Sequence, residues 1–85
     1  MRREEFYHIL KRDNGGEWEG DNALKGLNII AKYIPNDTVL EGVGHDVIYS
    51  VDIDKLIEAG ITIKDAEELR ELNWMLKDDC LACFV

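Results

Sequence analysis

The sequence predicts an α+β fold: a small antiparallel sheet of three to four strands packed with about four helices. Three observations predict it. Residues 38–52, TVLEGVGHDVIYSVD, hold two β-prone runs, 39–43 and 46–51, separated by Gly44-His45. Runs rich in β-branched and aromatic residues around a Gly-X pair read as a hairpin. Four other segments repeat apolar residues at helical spacing between capping and stop residues. Residues 80–85, CLACFV, form a compact apolar run that only a sheet can take in. The hairpin at 38–51 and the strand at 80–85 therefore make the sheet.

The elements follow in order. Residues 3–12 form a helix with Phe6, Ile9 and Leu10 on its buried stripe, acids in its first turn and Lys11 and Arg12 in its last. Asn14-Gly15-Gly16 stops it, and the loop after it carries Trp18. Asp21 or Asn22 caps a second helix to about Ile34. Its stripe is Leu24, Leu27, Ile30, Ala31 and Ile34, and Pro35 ends it. Gly26, unfavourable inside a helix, marks close approach to another backbone.

In the hairpin, a type II′ turn at Gly44-His45 pairs Val43 with Asp46 and Gly42 with Val47. Alternation then puts Leu40, Val47, Tyr49 and Val51 on one face, the expected core face. Val39, Glu41, Val43, Asp46, Ile48 and Ser50 form a mixed face, left to meet helices or a partner. Asp52 caps a short helix, 53–59, which Gly60 ends. Thr62, with Asp65 three residues on, caps another helix to about Leu72, with Ile63, Ala66, Leu69 and Leu72 inward. Residues 74–76 pair with the final strand through a turn at Lys77-Asp78-Asp79.

At 85 residues the chain is one domain, 1–85, with a modest core. Residues 1–35 carry six acids and six bases; residues 36–85 carry twelve acids and four bases, and so the whole net charge of −8. That surface disfavours nucleic acid and favours a partner with a basic surface, although negative charge also serves solubility alone. No apolar run approaches a membrane span. The segment MRREEFYHIL has no apolar signal core, so a cytoplasmic location is expected, consistent with two cysteines and no export signal.

Candidate chemistry is sparse. Cys80 and Cys83 have CxxC spacing, which with His45 gives a weak metal or redox candidate. On a strand the two thiols diverge, and a structural role fits them better. His45-Asp46 has no nucleophile placed beside it by any motif, so it reads as a turn. No cofactor and no catalytic residue are expected. The large aromatics either fill the core or anchor a partner, with Trp18 and Trp74 the candidates for the second role. The expected contact residues are thus Glu41, Asp46, Ile48, Asp54, Glu58, Trp18 and Trp74.

The phrases GLNIIAKYIP, HDVIYSVDIDKLIEAGIT and LNWMLKDDCLACFV cover most of residues 21–85. Together they resemble a class of small uncharacterised proteins encoded in phage and prophage genomes. The resemblance transfers no active site. It implies an accessory protein that binds and modulates or inhibits a host protein. The reading is therefore a small acidic interaction module, not an enzyme. The alternatives are a Cys/His metal-binding module and a self-associating structural protein, a homodimer for example.

Overall fold

Each helix forms where the apolar spacing places it, and each strand joins one sheet. The structure, a computed structural model, describes residues 1–11, 20–35 and 38–84. The helices are α1 (Arg3–Leu10), α2 (Asn22–Tyr33), α3 (Ile53–Glu58) and α4 (Ile63–Glu71). The strands are β1 (Gly42–Val43), β2 (Val47–Asp52), β3 (Met75–Lys77) and β4 (Cys80–Phe84). They form one antiparallel sheet in the order β1-β2-β4-β3. The fold is α+β with about four helices on a small sheet, as the pattern predicts. The expected stop at Asn14-Gly15-Gly16 and the Trp18 loop lie outside the described residues.

Local chemistry sets the ends of the later helices. The Asp52 carboxylate accepts from the Asp54 N–H at 2.7 Å and opens α3. The Thr62 hydroxyl accepts from the Asp65 N–H at 3.1 Å and opens α4. Both helices close with paired reverse bonds. Ile61 N–H reaches Leu56 O at 3.1 Å and Trp74 N–H reaches Leu69 O at 3.0 Å. Such a closure needs a left-handed residue, supplied by Gly60 at φ 86° and Asn73 at φ 63°. The second closure turns the chain so that Trp74 enters the interior.

Trp74 corrects two expectations. It is 2% exposed, so it is a core residue and no partner contact. Its indole Nε1 donates to Asn22 O at 3.1 Å. A Cβ on Gly26 would lie 1.8 Å from that Nε1. Gly26 therefore marks the approach of a side chain, where a backbone was expected. Docking the indole on Asn22 and Gly26 turns that face of α2 inward, together with Ile29 and Ile30. Leu24 is consequently 59% exposed, against expectation. Ile63, at the first turn of α4, is exposed as well.

The hairpin departs from expectation in turn and in orientation. Gly42 pairs with Tyr49 and Val43 with Ile48, so the turn residues are His45-Asp46. Gly44 does not take a positive φ, which rules out the type II′ turn. This shift moves each pairing by two residues and leaves the faces unchanged. Which face is covered, however, is reversed. Ile48 and Val39 pack against the helical core with Leu76, Leu81 and Cys83, whereas Val47 and Tyr49 do not. Val51 rejoins the core because two β2 residues lie between Tyr49 and Asp52 opposite the single Leu81 of β4. This bulge changes the phase of the strand. The adjacent Ser50, fully buried, donates its hydroxyl to Val39 O.

Candidate functional site: the outer sheet face and its acidic end

Cross-strand pairing defines the face that the helices leave. Val47 lies opposite Phe84, Tyr49 opposite Ala82, and Ala82 opposite Met75. Lys77 lies opposite Cys80, on the same face by alternation. None of these residues belongs to the cluster that joins the helices to the sheet. Val47 and Ala82 are nevertheless buried, while Tyr49 and Met75 are half-buried and Phe84 is 51% exposed. The Tyr49 ring lies over β1. Added Cβ atoms at Gly42 and Gly44 would meet it at 3.7 Å each. Lys77 Nζ stands 5.9 Å from the centroid of that ring. A Cβ at either glycine would only touch the ring; the close approach is at Gly44, where it would lie 2.8 Å from Val47 Cγ1.

The end of the sheet at the Asp52–Cys80 pair is acidic. The Cys80 thiol is pushed up by burial and then by the charges of Asp52, Glu41, Asp78 and Asp79. Two left-handed residues, Asp78 at φ 52° and Asp79 at φ 64°, form the turn that holds the last two there. Arg3 closes the cluster from α1. Its Nη1 donates to both oxygens of Asp54, at 3.1 and 2.8 Å, and its Nη2 lies 2.7 Å from Asp79 Oδ2. The two carboxylates hold this guanidinium firmly protonated, with the Asp79 hydrogen bond the larger cause. Lys55 Nζ stands 3.7 Å from Glu41. Asp52 is occupied as the α3 cap, and Asp78 has no bonded partner among the described residues.

The expected contact residues do not converge. Glu41 and Asp54 sit at the acidic end, Asp46 at the hairpin tip beyond the other end of β2, and Glu58 at the far end of α3. Ile48 faces the core and Trp74 is inside it. Trp18 lies outside the described residues. Glu58 lines a groove of about 390 Å³ with Tyr33, Ile34, Lys55 and Ala59. A second groove, of about 400 Å³, runs along Arg3, Glu4, Tyr7, His8 and Lys11.

The cysteine pair splits as strand alternation requires. Cys83 faces the core opposite Ile48, and burial pushes its thiol up. Cys80 faces outward at the other end of β4, and both are free thiols. His45 lies in the hairpin turn beyond the Val47–Phe84 pair, at the opposite end of β2 from the Asp52–Cys80 pair. Among the described residues, no group of three or more His, Cys, Asp or Glu side chains is placed to hold a metal ion. No described helix is long and apolar enough to cross a membrane.

Sequence reasoning reads Asp52 as a helix cap and Asp78-Asp79 as a turn, which they are, and gives Arg3 no contact; its meeting with Asp54 and Asp79 joins three distant parts of the chain. Comparison of the chain with protein-family models, with curated proteins and with solved structures found no match.

Proposed function

We propose that the protein is a small acidic interaction module that acts by binding, and that its contact surface is the outer face of the sheet with the acidic end at Cys80. The carrying observation is that half-buried Tyr49 and Phe84, 51% exposed, lie on the sheet face that the helices leave, with Asp52 opposite Cys80 and the Asp78-Asp79 turn at the other end of β4. That surface complements a basic partner segment bearing apolar side chains. The charge steers the encounter, and the two aromatics supply contact area. The resemblance to phage and prophage proteins directs the search to a host protein. No step of catalysis is assigned to it.

Salt dependence tests this reading. A partner isolated on the wild-type protein should be retained at ~50 mM salt and shed at ~500 mM, where charges are screened within a few ångströms. The Asp78→Asn/Glu41→Gln variant should retain it weakly at both. A complex indifferent to salt and to that variant would remove the charge-led reading. Self-association is the second reading. It is favoured by Val43, 71% exposed on edge strand β1, and by Phe84 two strands away. Light scattering that shows a concentration-dependent dimer, lost in Phe84→Ser, would support it.

A further inference from the structure

We draw no further inference here: the strongest candidate, the groove of about 400 Å³ along α1 lined by Arg3, Glu4, Tyr7, His8 and Lys11, carries nothing, because its two fixed cations are already taken up inside the protein, Arg3 by Asp54 and Asp79 and Lys11 over the Tyr7 ring, and nothing in the structure shows what covers it.

Discussion

Ile48 and Tyr49 are neighbours in β2, yet they belong to different parts of the molecule. Ile48, opposite Cys83, packs with Leu76 and Leu81 beneath the helices. Tyr49, opposite Ala82, lies across two glycines and a lysine with no helix in its cluster. The two faces are similarly apolar. What separates them is the source of their cover: helices on one, and on the other the neighbouring side chains, which suffice to bury Val47 and Ala82. Alternation in a strand therefore announces two apolar faces without saying which becomes the core. The uncovered face is available for contact with something else.

The sharpest way to break this comparison is at the indole that ties α2 to the covered side. Trp74→Ala should cost about 3–5 kcal/mol in urea unfolding, as for other buried aromatics. The faces can be set against each other directly. Leu81→Ala, on the inner face and fully buried, should cost about 2–5 kcal/mol. Phe84→Ala, half exposed on the outer face, should cost about 1 kcal/mol or less. Equal losses would mean that the outer face is as integral to folding as the inner. Gly26→Ala comes next. The gain in helix propensity is outweighed by overpacking against Trp74, for a net loss of about 1–3 kcal/mol in the same assay.

A smaller effect concerns how α4 is pinned to α2. The Tyr33 hydroxyl donates to the Asp65 carboxylate, and Lys32 Nζ stands 3.2 Å from it. The Tyr33 bond, then the charges of Lys32 and Lys64, hold Asp65 below its ordinary value of 3.8 in spite of burial. A depressed carboxylate stabilises fully above its unfolded pKa, and the contribution disappears as pH falls through the lower folded value. Tyr33→Phe should therefore cost about 1 kcal/mol at pH 7, and the difference from wild type should shrink below about pH 4. A difference constant with pH would assign the loss to packing. The smallest change is expected at the Asp78-Asp79 turn. Asp79→Gly relieves a left-handed aspartate but gives up the Arg3 contact, so thermal unfolding should move by under about 1 kcal/mol in either direction.

Fold class and most element ends were legible because each rests on neighbouring residues. Asp52 and Thr62 cap the helices that follow them, and Pro35 follows the last turn of α2. The β3–β4 turn falls at Asp78-Asp79 for the same local reason. The covered face of the hairpin was not legible. Val47, Tyr49 and Val51 outweigh Val39 and Ile48 in apolar content, and the extra residue between Tyr49 and Asp52 leaves no mark in the pattern. Gly26 gave a true signal of close approach, but its partner, Trp74, lies far along the chain. The acidic site was legible only as charge. Arg3 meets Asp54 and Asp79 solely because α1, α3 and the β3–β4 turn come together in space.

The strand order carries a consequence for how this chain comes into being. β4 follows every other element in the sequence, yet it lies between β2 and β3, so each depends on it for its place in the sheet. On the ribosome, α1 through β3 emerge before the strand that joins them, and no sub-assembly of the sheet beyond the short hairpin exists until about residue 84 is free of the exit tunnel. The nascent chain should therefore stay protease-sensitive along nearly its whole length and become resistant in one late step. A messenger cut short, or a frameshift late in the reading frame, should then yield a chain that stays unfolded and protease-sensitive, because the strand that joins β2 to β3 is missing.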